Sequence, residues 1–141
     1  MRALIATLIA LMLFAATPAA AGDCDPGARC FSDFEKGLAA YYAGDYQKAV
    51  RLLKPLAEQG DFWAQFKLGE MYRKGEGTPQ DDVKAVHWYS RSGAQGWMLA
   101  QFHLGVMHAK GWGVPKNNVA AYALFSITAV QGYEGGKKTK K

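Results

Sequence analysis

An internal repeat constrains this chain more than any other feature of its sequence. When the sequence is shifted by 36 residues, positions 63–96 align with 99–132 without a gap, and fifteen of the 34 aligned residues are identical. A period of this length is typical of stacked helical hairpins, in which each unit buries its apolar face against the next. The sequence therefore predicts an all-α fold, an α/α solenoid of about three stacked hairpins.

The residues of one unit predict its first helix. An apolar stripe recurs at helical spacing: Ala64, Leu68, Met71 and Tyr72. The segment 75–79 then ends the helix, because its glycines favour a left-handed C-cap and its proline cannot continue the helix. Glycine at the same place in two units, Gly69 and Gly105, indicates that the two helices of each hairpin touch there.

The second helix of the unit begins after this segment. We expect a cap at Asp81 or Asp82, because a carboxylate accepts hydrogen bonds from the free N–H groups of a first turn. The buried stripe is predicted at these positions: Val83, Val86 or His87, and Tyr89 or Ser90. Gly96 closes the helix, and the third unit repeats the scheme with Asn117-Asn118 at the capping position.

A divergent unit precedes these two. Ser32 and Glu35 have the spacing of a capping box and predict a helix through about Ala43. Gly44-Asp45 then turns the chain into a partner helix over 46–59. The predicted repeat domain is 33–134, with units 33–60, 61–96 and 97–134.

The first residues have the pattern of an export signal. Arg2 is followed by a charge-free run and by small residues at Ala19 and Ala21, so we predict a signal peptide over 1–21 that is cleaved before Gly22. The run is shorter than the ~20 residues that a membrane-spanning helix needs. The expected location is therefore periplasmic or secreted, with no transmembrane span after cleavage.

Two cysteines follow in the predicted N-terminal arm, 22–32. In an exported protein, nearby cysteines such as Cys24 and Cys30 most simply form a disulfide. A loop this short adds little stability through chain entropy, so we expect the bond to fasten the arm.

The charge distribution excludes a polyphosphate partner. Of 17 basic side chains, four are lysines in the predicted disordered tail, 135–141, and one is Arg2. The remaining twelve balance the twelve acidic ones, so no basic face is available for a nucleic acid. The sequence after the third unit does not predict a capping helix with a polar outer face. We therefore expect the C-terminal end of the array to dock against a partner or a second copy.

These residues resemble a known family. The motif residues in the second unit are Leu68-Gly69-x-x-Tyr72-x-x-Gly75-x-Gly77 and Asp82-x-x-Ala85-x-x-Trp88-Tyr89. They resemble the Sel-one-like repeat (SLR), and the first unit looks more like a tetratricopeptide hairpin. The resemblance implies an α/α solenoid of exported bacterial type that holds other proteins. Some SLR relatives have been linked to β-lactam binding or hydrolysis, but they are cysteine-rich, whereas the second and third units have no cysteine.

The sequence contains no arrangement typical of catalysis. His103 and His108 are five residues apart, about 500° of helical rotation, and so lie on different faces. H-E-x-x-H, G-x-S-x-G and Ser-x-x-Lys are all absent. We therefore predict no catalytic residue, no metal and no cofactor. A cell-wall or β-lactam-related enzyme and a small stabilising subunit of an envelope complex remain as alternatives to an adaptor.

The predicted function is a non-catalytic adaptor that binds a protein or peptide. In a helical-hairpin solenoid the first helices line the concave groove. Residues on those helices outside the buried stripe are the predicted contacts: Phe66, Glu70, Arg73, Phe102, Val106 and Lys110. The aromatic rings would bury apolar area, and Glu70 and Arg73 would orient polar groups of the partner.

Overall fold

The computed structural model describes residues 32–132, and it folds this range into three helical hairpins. The helices are α1 (Asp33–Tyr42), α2 (Tyr46–Glu58), α3 (Phe62–Lys74), α4 (Asp82–Ala94), α5 (Met98–Lys110) and α6 (Asn118–Val130). No strand occurs within 32–132. Contacts run in sequence order, each helix against the next, which confirms the predicted α/α solenoid.

The helix ends follow the capping residues seen in the sequence. Ser32 and Glu35 form the predicted capping box before α1. Asp81 caps α4 by accepting from the backbone N–H of Lys84 at 3.0 Å, and Asn117 caps α6 in the same way. Gly75 and its counterpart at 111 end α3 and α5 in the left-handed conformation. The helix ends predicted from these residues are confirmed to within a residue or two.

Glycines let the two helices of each hairpin approach closely. A Cβ on Gly69 would lie 2.7 Å from the ring of Tyr89, and one on Gly105 would lie 2.7 Å from the ring of Phe125. The predicted contact at these glycines is therefore correct, and each glycine faces a large side chain of its partner helix.

The buried face of α4 differs from the predicted stripe. Val83 is 65% exposed and His87 is also exposed, whereas Ala85, Trp88 and Tyr89 are buried. The prediction that α4 packs through Val83 is wrong, because the repeated alanine and the aromatic pair face α3 instead. The C-terminal half of the predicted stripe, at Tyr89, is confirmed.

Side-chain amides link successive units. The buried Gln65 of α3 donates from Nε2 to the carbonyl of Ala57 at 3.0 Å, and Gln101 of α5 donates to the carbonyl of Gly93 at 2.9 Å. The two acceptors occupy equivalent places on α2 and α4, 36 residues apart. The same hydrogen bond therefore joins the first unit to the second and the second to the third.

Two predicted segments lie outside the described residues: the signal peptide with the arm that carries Cys24 and Cys30, and the basic tail 135–141. Among the helices that are described, none combines the length and the apolar character that crossing a membrane requires.

Candidate partner-binding surface

The first helices of the second and third units enclose a pocket. The α3–α5 pocket has a volume of about 220 Å³ and is lined by Arg73, Phe102, His103, Val106, Met107 and Trp112. Three of these residues, Arg73, Phe102 and Val106, belong to the predicted contact set. Arg73 comes from α3, the next four lining residues come from α5, and Trp112 comes from the α5–α6 loop.

Arg73 is the charged residue of this pocket. Its Nε atom is buried without a hydrogen-bond partner, and within residues 32–132 its guanidinium forms no ion pair. Nearby basic side chains are paired: Lys67 with Glu70 at 2.8 Å, and Lys74 with Glu76 at 4.0 Å. Arg73 therefore presents a positive charge that the described fold does not neutralise.

His103 forms the floor of the pocket as a neutral ring. It stacks on Tyr89 with ring centroids 5.2 Å apart and the planes 10° from parallel. Burial lowers the pKa of His103; the nearby Glu70 opposes this, while Arg73, Lys74 and Lys67 add to it. The lowered pKa of His103 favours the neutral ring, and Arg73 is the charged lining residue.

Phe66 does not line the surface as predicted. Its side chain is 4% exposed, and its ring contacts those of Trp97 and His103 from the third unit. Phe66 is covered because the third unit packs over it. Phe102 is the equivalent residue in the third unit, and it lines the pocket because no further hairpin follows it among the described residues. We therefore correct the prediction: Phe66 is a packing residue.

Glu70 and Lys110 also lie apart from the pocket. Glu70 is paired with Lys67, and both side chains are mostly buried, at 14% and 10% exposure. Lys110 is exposed at the last residue of α5. The partner-binding role predicted for these two residues stays a prediction, with Glu70 already engaged inside the fold.

Aromatic rings surround the Lys67 ammonium group. Its Nζ lies 4.8 Å from the ring centroid of Tyr41 on α1, 5.4 Å from that of Trp63 and 5.5 Å from that of Phe66. Such cation–π contacts strengthen when the cation is withdrawn from water. Burial, and then the Glu70 carboxylate, raises the pKa of Tyr41 to about 12, so its hydroxyl stays neutral. The cluster ties the first unit to the second.

The sequence reasoning missed three pocket residues: His103, Met107 and Trp112. A signal was nevertheless present, because His103 stands where the second unit has Lys67, and Trp112 stands where it has Glu76. Positions at which two aligned repeats differ are the positions where one repeat can have a binding residue that the other repeat lacks.

The outer face of α6 is unusually apolar. Val119, Tyr122 and Val130 are 80%, 75% and 89% exposed, and α6 carries no charged side chain. At the three equivalent positions α2 has Gln47, Val50 and Glu58, of which Gln47 and Glu58 are exposed and polar and Val50 is half-buried. This contrast agrees with a docking face at the end of the described helices, although whether it self-associates stays a prediction.

The described residues hold no cluster of three or more histidine, cysteine or acidic side chains that could bind a metal ion. Among these residues, the buried polar atoms without a hydrogen-bond partner include the Gln101 Oε1 and the Tyr89 hydroxyl, whose pKa burial raises and the nearby Arg73 guanidinium lowers.

Three stacked hairpins, linked from unit to unit by the same glutamine hydrogen bond and closely packed at their glycines, define the class: an α/α solenoid of short helical repeats. The Sel1 repeat model matches residues 34–61, 64–97 and 99–133. The chain belongs to the Sel1 repeat family, whose repeats typically serve as scaffolds for protein interactions.

Two relatives are rhizobial proteins named exopolysaccharide production negative regulator. The chain is 33% identical over 94 residues to that of Rhizobium meliloti, covering 62% of this chain and 34% of the relative. It is 37% identical over 60 residues to that of Rhizobium leguminosarum, covering 43% of this chain and 22% of the relative. The chain thus spans about a third or less of either relative.

Solved structures show the same fold. A protective antigen with an SLR fold from uropathogenic Escherichia coli has a TM-score of 0.67 at 35% identity, over 71% of this chain and 22% of that one. A Sel1 repeat protein from Oxalobacter formigenes gives 0.66 at 34%, over 70% and 40%. Cysteine-rich protein B of Helicobacter pylori gives 0.59 at 27%, over 62% and 66%.

Proposed function

We propose that the protein is a non-catalytic adaptor that binds a protein or peptide partner along its first helices. The observation that carries the proposal is the α3–α5 pocket, which joins apolar walls to one guanidinium without an ion-pair partner among the described residues. Interface anchors are commonly aromatic or arginine side chains seated in such concave places. Membership of the Sel1 repeat family supports the same interpretation.

We place this adaptor in the cell envelope, in the periplasm or outside the cell. The support is the signal-peptide pattern over 1–21, with its positive start, apolar run and small residues before Gly22. A small stabilising subunit of an envelope complex would use the same surface. N-terminal sequencing of the protein from a periplasmic fraction tests the location: a start at Gly22 agrees with it, and an intact Met1 in the cytoplasm contradicts it.

An acidic substitution in the pocket tests the proposed function. Val106→Glu would fill part of the apolar pocket and bring a carboxylate to the Arg73 guanidinium, which would then be occupied by the protein itself, so we expect partner recovery to fall about tenfold. The measurement is affinity capture of the tagged full chain from envelope extracts, with quantitative mass spectrometry. Val83→Glu is the matched control, because Val83 is 65% exposed on α4 and does not line the pocket. Equal recovery with both variants would contradict the proposal.

A simple assay distinguishes an adaptor from the alternative, a β-lactam-related enzyme. A β-lactam-related enzyme would turn over nitrocefin, and an adaptor would not. The absence of cysteines from 31–141 sets this chain apart from cysteine-rich relatives of the family. Turnover by the purified chain above the rate of a heat-denatured sample would support the enzyme alternative instead.

We also infer that two copies associate through α6. In a symmetric dimer the same surface of both copies forms the contact, so the surface must complement itself. Because α6 carries no charged side chain, two copies can pack through it without repulsion between like charges. Sedimentation equilibrium of the full chain should show a dimer at micromolar concentration. The double variant Tyr122→Glu with Val130→Glu should be monomeric, while Val83→Glu should keep the dimer. A wild-type chain that stays strictly monomeric would contradict the inference.

A further inference from the structure

Arg73 lies in a setting that favours an anionic ligand. Its guanidinium lines the α3–α5 pocket, its Nε is buried without a partner, and no acidic side chain of the described residues lies within ion-pair distance of it. The nearest acidic neighbour on its helix, Glu70, is committed to Lys67 at 2.8 Å. A buried polar group without a partner is unfavourable, so a ligand that satisfies it gains affinity.

The other lining residues set the shape and polarity of the ligand. Phe102, Val106, Met107 and Trp112 give apolar walls, and His103 stacks flat against Tyr89 behind them. A volume of about 220 Å³ is below the ~300–1,000 Å³ of pockets for drug-sized molecules. The pocket therefore has room for about one amino-acid residue and not for a large cofactor.

We propose that the α3–α5 pocket binds a carboxylate adjacent to an apolar side chain, with Arg73 as the carboxylate ligand and Phe102, Val106 and Trp112 around the apolar group. This rests on the proposed function, because it names what part of a protein partner the surface receives. Two sources offer the chemistry: the C-terminus of a chain that ends in an apolar residue, or an acidic side chain beside one.

The guanidinium explains why a carboxylate is preferred to a neutral amide. Arginine donates two parallel N–H bonds to a carboxylate, and such charge-assisted bonds are roughly twice as strong as neutral ones. A neutral amide offers one acceptor oxygen and no charge. The pocket should therefore discriminate between an acid and its amide even when their apolar parts are identical.

Small probes test this on the full chain by NMR titration of its backbone amides. N-acetyl-L-leucine represents the C-terminal source, and N-acetyl-Leu-Asp amide represents the side-chain source. N-acetyl-L-leucinamide is the neutral match of the first probe. We expect shifts at residues 102–112 with at least one acid, and binding about tenfold weaker for the amide, which corresponds to the loss of one charge-assisted contact.

Variants assign the effect to Arg73. Arg73→Gln should abolish the preference for the acid, and Arg51→Gln, on the exposed face of α2, should leave it unchanged. Val106→Glu offers a second test that keeps Arg73 in place, and it should also abolish binding of the acid. Equal affinity for acid and amide in the wild type, or a preference that survives in both pocket variants, would overturn the proposal.

The test of carboxylate binding at Arg73 and the test of the adaptor function can give different results. An Arg73-dependent acid preference, together with partner recovery that is insensitive to Val106→Glu, would sustain this site and contradict the adaptor surface. Partner recovery lost in Val106→Glu, without any acid preference, would sustain the adaptor surface and overturn this site.

Discussion

Replacing Gly113 with alanine is expected to lower the free energy of unfolding by about 3 kcal/mol or more. Gly113 lies in the α5–α6 loop with φ of 67°, where an L-residue is strained. An added Cβ would also collide with the backbone of Asp82 and Val83 at the start of α4. Backbone atoms inside a repeat stack cannot move aside as a flexible side chain can, so the third unit would have to shift against the second.

Gly44→Ala isolates the effect of the contact from that of the backbone conformation. Gly44 has φ of 81°, but no atom lies within 4 Å of the position of its Cβ, so its replacement should cost about 1 kcal/mol. Gly77→Ala should resemble Gly113→Ala, because its Cβ would meet the Tyr46 backbone at 2.5 Å. Urea unfolding followed by circular dichroism measures all three. Equal losses for positions 44 and 113 would mean that the loops do not pack on the preceding unit.

Replacing Gln65 with alanine is expected to cost about 3 kcal/mol, because it removes one buried and one partly buried hydrogen bond and leaves a cavity. Gln65 is 1% exposed, donates to the Ala57 carbonyl and accepts from Nε2 of Gln95 at 2.9 Å. Its loss would leave the Ala57 carbonyl of α2 without this donor at the junction of the first two units, whereas the exposed Gln95 amide would keep its hydrogen bond to the Gly60 carbonyl.

Gln101→Ala is the matched control, since Gln101 occupies the same place in the third unit. It is partly buried, it donates to the Gly93 carbonyl, and its Oε1 has no partner among the described residues. Its replacement should therefore cost only about 1 kcal/mol, the value of one hydrogen bond. The same urea titration compares the two. A larger loss for Gln101→Ala than for Gln65→Ala would contradict the assigned hydrogen bonds.

The architecture could be predicted from the sequence because the period encodes it. A fixed shift of 36 residues repeats the glycines, capping residues and apolar stripe together, and each unit can satisfy them only as a helical hairpin. The contacts of Gly69 and Gly105 could be predicted for the same reason, because a glycine repeated at one helix position indicates that the partner helix approaches closely there. The stripe of α4 was misjudged at Val83 because apolar residues on a short helix fit more than one face, and packing against α3 selected Ala85, Trp88 and Tyr89.

The site could be predicted only in part, because the exposure of a residue in a repeat depends on whether another unit packs over it. Phe66 and Phe102 are equivalent in sequence, but Phe66 is covered by Trp97 and His103 of the next unit. Periodicity places a residue on a helix face without stating whether a neighbour covers that face. Arg73 was found because it lies off the stripe, whereas its lack of an ion pair results from the pairing of Lys67 with Glu70 in three dimensions.

Site-specific photocrosslinking tests the central claim, binding along the first helices, most directly. A photoreactive phenylalanine analogue replaces either Val106, in the pocket, or Val83, which is 65% exposed on α4. After irradiation of intact cells that express the full chain, we predict a discrete crosslinked partner from position 106 and none from position 83. Crosslinking of the same partner with equal yield from both positions, or from position 83 alone, would contradict the account.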